Sequence, residues 1–160
     1  MKMKKTGYFP WIGLIPIVFG SLYVHSVSIP IIGSLLFMLI PWAMAVSWLW
    51  IGYCCGRDGR TWFTSVLVGH WGVLIIVLCA IWQFGCLPDE SRNMILAVFA
   101  QYLIGLVPGV IPLVVRFTMV DNTISSLPII LWGTPATAVM LVILFSLGFC
   151  FGRRKGVEQG

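Results

Sequence analysis

Five long apolar stretches, at residues 8–24, 30–53, 62–84, 94–115 and 128–151, leave this chain little choice of surroundings. A helix needs about 20 apolar residues to cross a hydrocarbon layer ~30 Å thick, because each residue advances it ~1.5 Å. Only 9% of the 160 residues are charged, against about one quarter in a soluble domain. The pattern predicts an all-α integral membrane protein: a small bundle of about five transmembrane helices. It is expected to form a single transmembrane domain over 1–160, with no soluble domain.

The formal charge of +5 does not point to nucleic acid, because Lys and Arg stand at the termini and in the connections between apolar runs. That placement carries topology, so the bilayer is the expected partner and nucleic acid is not. Cys54, Cys55, Cys79, Cys86 and Cys150 form no CxxC pair. They are expected to pack as small side chains, with no metal and no cofactor.

Lys2, Lys4 and Lys5 before an apolar run have the outline of a signal peptide. The chain resumes as membrane helix at Pro30, however, so the run reads as a short first span, made irregular by Pro10, Gly13, Pro16 and Gly20. Pro30 suits the first turn of the second span and Pro41 should kink it. Trp48, Trp50 and Tyr53 precede Arg57-Asp58-Gly59-Arg60, and Trp62 and Phe63 follow it, as in an interfacial aromatic belt. In the third span Ser65, Gly69, Gly72 and Cys79 share one stripe. Small side chains let helix backbones approach closely in lipid, so this span should be central.

The stretch 94–115 is long enough to cross but is interrupted by Gly105, Pro108, Gly109 and Pro112. If it crosses, basic residues divide almost evenly between the two sides. If it turns back, Lys2, Lys4, Lys5, Arg57, Arg60, Arg153, Arg154 and Lys155 share one side, leaving Arg92 and Arg116 on the other. The positive-inside rule favours turning back. Length favours crossing, since re-entrant backbone must be shielded by protein. Five crossings are expected, with the N-terminus in the cytoplasm and the protein in the plasma (inner) membrane.

An internal repeat supports the same expectation. Ile12-Gly13-Leu14-Ile15-Pro16 resembles Ile104-Gly105-Leu106-Val107-Pro108, and Ser28-Ile29-Pro30-Ile31-Ile32 resembles Ser126-Leu127-Pro128-Ile129-Ile130. Gly52-Tyr53-Cys54-Cys55-Gly56-Arg57 resembles Gly148-Phe149-Cys150-Phe151-Gly152-Arg153. The matches keep their order at roughly one hundred residues' separation, as a duplicated two-segment unit would. With five crossings the two units are inverted; with a re-entrant turn they share one orientation. The GxxxG pairs Gly52 with Gly56, Gly105 with Gly109 and Gly148 with Gly152 also suit close packing, within the chain or in a homo-oligomer.

Helices broken by Gly and Pro near mid-membrane free backbone groups that can hold a solute. The expected function is therefore solute handling, as a permease, channel or membrane-embedded substrate-binding subunit acting on a small molecule. Its site is expected between broken helices 1 and 4 and helix 3. His70, ~12 Å from the start of its span, and Gln101 would be polar contacts; Gly13, Pro16, Gly105, Pro108 and Gly109 would supply backbone. The alternative is a non-catalytic accessory, regulatory or immunity subunit of a larger membrane complex. All five acidic residues fall in loops or tails. No HExxH or assignable Ser/His pair stands within the spans, so an enzyme is not expected.

Overall fold

Two helices touching through glycine set the frame. The computed structural model describes residues 9–119 and 126–158, in which every regular element is helical. The main helices are α1 (Phe9–Ile12), α2 (Ile15–Ser26), α3 (Ile32–Arg57), α4 (Trp62–Ile81), α5 (Met94–Ile104), α6 (Val110–Thr118) and α7 (Ser126–Glu158). The longest apolar spans are Ile32–Arg57, Trp62–Cys86 and Leu127–Gly156. Among the described residues, three helices are thus long and apolar enough to cross a membrane, of the about five expected. The other two stretches are shorter: Pro10–Ser26, and Met94–Ile104, which ends where Gly105, Pro108 and Gly109 interrupt it.

α3 and α7 run parallel at backbone contact. A methyl added at Gly52 would strike the Phe145 carbonyl, and one at Gly56 the Phe149 carbonyl. Reciprocally, Gly148 faces the Leu49 carbonyl and Gly152 the Tyr53 carbonyl. The two helices therefore exchange equivalent contacts about an axis along the bundle. The sequence expectation that these GxxxG pairs pack helices is met inside the chain itself, which leaves those glycines unavailable to a second copy. Gly105 and Gly109 form no such face: Gly105 is covered by the Tyr23 ring, and Gly109 takes a left-handed conformation (φ 84°) at the turn into α6.

The parallel pair decides the path of everything between. The 58–61 turn brings α4 back antiparallel to α3, with Trp48 and His70 side by side. The start of α5 is then at the end where α3 began, and α7 must begin there too. The stretch 94–119 therefore goes in and comes back. On the way in, Ile104 packs on Gly133 and its carbonyl accepts from Thr137 Oγ1 at 3.3 Å. On the way out, Leu113 and Phe117 of α6 share a hollow with Trp132 and Ala136. The broken stretch 94–115, expected to cross, is instead a hairpin of two helices, α5 and α6, joined at the break.

Helix boundaries differ from the sequence expectation where turns intervene. α3 starts at Ile32 rather than Pro30, because Ile31 sits at φ 65° and Ile32 N donates to the Pro30 carbonyl at 2.7 Å. α4 runs on through a π-helical turn, Trp82–Cys86, where buried Gln83 donates Nε2–H to the Asn93 carbonyl. Asn93 in turn caps α5, its Oδ1 accepting from Ile95 N at 2.9 Å. The first stretch descends beside α3: Tyr23 stacks on Phe37 (4.3 Å between centroids), while Gly13 lies at the height of Trp71 and Gly72. Lys2, Lys4 and Lys5, used in the topology argument, lie outside the described residues.

The core gathers Met44, Trp48, Val73, Leu103, Leu106, Leu141 and Phe145. On the stripe expected to pack, Ser65, Gly69 and Gly72 are buried, and a methyl on Gly72 would meet the Gly13 carbonyl. Replacing Gly148 with Val should destabilise the fold by ~1–3 kcal/mol through overpacking, measured by thermal melting in detergent. Gly85→Ala, whose methyl would rest 3.8 Å from Leu131, should leave the melting temperature nearly unchanged.

Candidate functional site

Breaking a helix inside a bundle leaves carbonyls that need partners. In an unbroken helix the Ile104 carbonyl would accept from the amide at position 108, but Pro108 has no N–H. The Thr137 hydroxyl on α7 takes that place. Thr134, one turn earlier, donates back to the Ile130 carbonyl at 2.6 Å. These two threonines, both fully buried, flank Pro135 and were not among the residues singled out by sequence. Their signal was hydroxyls beside a proline within an apolar run.

His70 is 1% exposed. Its Nδ1 lies 2.9 Å from the Val66 carbonyl, and its Nε2 accepts from Trp48 Nε1 at 2.9 Å. An indole N–H only donates, so Nε2 carries no proton and Nδ1–H donates to Val66: the ring is the neutral Nδ1–H tautomer. Trp48 and Phe145 meet it edge-on, at 5.2 and 5.3 Å between centroids. Both nitrogens are engaged within the protein. Histidine here satisfies a buried indole, and the pair ties α3 to α4.

The remaining sequence candidates do not converge on one point. Gly13 and Pro16 are buried, with Gly13 against the Trp71 indole, whose Nε1 donates to the Pro10 carbonyl at 2.8 Å. Gly105 is buried under Tyr23, Pro108 is half-buried and Gly109 exposed. Gln101 is exposed on the outer face of α5.

A cleft does lie between α2, α4 and α5, where a site between the broken segments and helix 3 was expected. It measures about 240 Å³ and is lined by Ile17, Trp71, Ile76, Cys79, Leu96 and Phe99, among others. Its walls are apolar and His70 is not among them. Among the described residues no three His, Cys, Asp or Glu side chains come together. No family model, curated protein or solved structure matches the chain.

The His70–Trp48 bond is open to a double-mutant cycle. His70→Phe and Trp48→Phe should each destabilise, and their coupling should be about 0.5–1.5 kcal/mol, the range for a hydrogen bond inside a membrane bundle. Chemical unfolding of the four forms in detergent measures it.

Proposed function

We propose that this chain is a small polytopic membrane protein that handles an uncharged small solute in the cleft between α2, α4 and α5. The observation that carries the reading is the re-entrant α5–α6 hairpin. It brings a Gly/Pro break into the core beside Met44 and Leu141, where irregular backbone is tolerated only when shielded by protein or when lining a cavity. Half-helices meeting near mid-depth are a recurring plan in proteins that bind and release solutes within a membrane. The apolar walls favour a solute without charge.

The reading includes a topology and an origin. Arg57, Arg60, Arg153, Arg154 and Lys155 gather at one end of the bundle, and Arg92 and Arg116 at the other. By the positive-inside rule the first end is cytoplasmic, in a plasma (inner) membrane. The reciprocal glycine contacts of α3 and α7 support a duplicated unit of one broken segment plus one long helix. The copies share one orientation, as in transporters whose halves repeat about an axis along the membrane normal. A C-terminal reporter that works only in the cytoplasm should be active, and one that works only outside should be silent; the reverse would refute this arrangement.

Solute handling is tested in liposomes by stopped-flow light scattering with a panel of small neutral and charged solutes. One neutral class should equilibrate faster than in protein-free vesicles, and Leu96→Trp, which fills the cleft, should slow it several-fold. Flux no faster than in empty vesicles for every solute would sink the reading.

A second reading, an accessory or regulatory subunit of a larger membrane complex, is favoured by one observation. The core is filled by apolar side chains, and the nitrogens of His70 are both engaged. Under that reading, gentle extraction would bring down a stoichiometric membrane partner and the flux assay would be silent.

A further inference from the structure

At the end of the bundle where α3 stops and α4 begins, a cleft of about 450 Å³ opens between the 57–62 turn and α7. Arg57, Arg60 and Arg153 line it, together with Thr61 and Trp62. We propose that this cleft binds the phosphate of an anionic lipid headgroup.

The concentration of positive charge is a product of the fold. Arg57 and Arg153 belong to different helices and meet because Gly56 and Gly152 bring the two backbones into contact just before them. Gly56 and Gly156 also line the cleft. Among the described residues Arg57 and Arg153 have no carboxylate partner, while Arg60 makes an interaction of its own. Asp58 is the acidic residue of this turn, and it is exposed. Like charges held together repel, and a bound anion relieves that repulsion. A guanidinium fork matches phosphate oxygens in geometry as well as charge.

Two further features fit an anion at this place. α4 starts here with no acidic residue in its first turn, and the Thr61 side chain makes no cap to its amides. The positive end of a helix that long adds to the arginine field. The location favours a lipid over free phosphate. Trp62, held by its Nε1 bond to Ser146 Oγ at 3.0 Å, edges the cleft, and Trp50 and Phe63 are exposed nearby, as side chains at the depth of lipid headgroups are. The Arg57 guanidinium lies 5.9 Å from the Tyr53 ring at the same level. Basic pockets at helix ends are a general means of holding anionic headgroups.

The inference rests on the membrane setting and not on solute handling, so absence of flux in liposomes would leave it standing. The test is native mass spectrometry of the full chain released from vesicles of equal phosphatidylglycerol and phosphatidylcholine. The wild type should retain phosphatidylglycerol preferentially. Arg57→Gln with Arg153→Gln should lower that preference about tenfold. Arg57→Lys with Arg153→Lys should keep most of it, and Arg116→Gln at the opposite end should leave it unchanged. Melting temperatures of all variants establish that each is folded, and Arg153→Gln alone replaces a double variant that is not. Equal retention of both lipids by the wild type, or an equal loss in Arg116→Gln, would overturn the proposal. Excess inorganic phosphate separates the two sources of the anion. A lipid preference that survives it supports the headgroup, whereas phosphate binding without any lipid preference overturns it.

Discussion

The contact on which the rest depends is the meeting of glycine with carbonyl between α3 and α7. In lipid, apolar side chains gain nothing by leaving acyl chains for one another, so helices associate through close backbone approach, dispersion and interhelical hydrogen bonds. Four glycines, Gly52 and Gly56 on one side and Gly148 and Gly152 on the other, allow that approach along two turns. Because the approach is parallel, both helices must be entered from the same end. The segment between α4 and α7 must then start and finish at one end, and it does so by going in and back.

A segment that turns back within the bundle carries exposed backbone groups into an apolar interior. The structure meets this with polar side chains held by packed helices. Thr137 supplies the hydrogen bond that Pro108 withholds from the Ile104 carbonyl. Gln83, on the π-helical turn of α4, grips the Asn93 carbonyl at the hairpin's entry, and Asn93 caps α5. The same economy governs His70, whose two nitrogens serve an indole and a backbone carbonyl. Thr137, Gln83 and His70 hold elements to one another, and clefts open at the edges, among them the apolar cleft beside α4 and the arginine-lined cleft at the end of α3.

Much of the architecture was legible in the chain. The long helices start and stop within a few residues of the apolar runs, because helical hydrogen bonds are local and each turn draws on neighbouring residues alone. The small-residue stripe of α4 and the interruptions at Gly13 and Gly105 were also visible as sequence. The functional candidates were less so. His70 was singled out because a titratable group in an apolar run is costly, but the same cost is removed by a tryptophan twenty-two positions earlier. That pairing exists only once α3 and α4 are folded together. Thr134 and Thr137 were not singled out by sequence; a hydroxyl in an apolar helix can bond to its own backbone, as Thr134 does, or reach another element, as Thr137 does.

Direction divides what the sequence determined from what the tertiary structure decided. Apolarity, helix breaks and glycine spacing are properties of short stretches, and the sequence by itself determined them. Whether 94–115 crosses or returns is not such a property. Charge argued for return; length and the internal repeat argued for crossing, and crossing was the expectation. The parallel α3–α7 contact settled the direction, because it joins residues nearly a hundred positions apart and constrains all of the chain between them. The clustering of Arg57 with Arg153 follows from the same contact, since charges distant in sequence become neighbours only when two backbones touch.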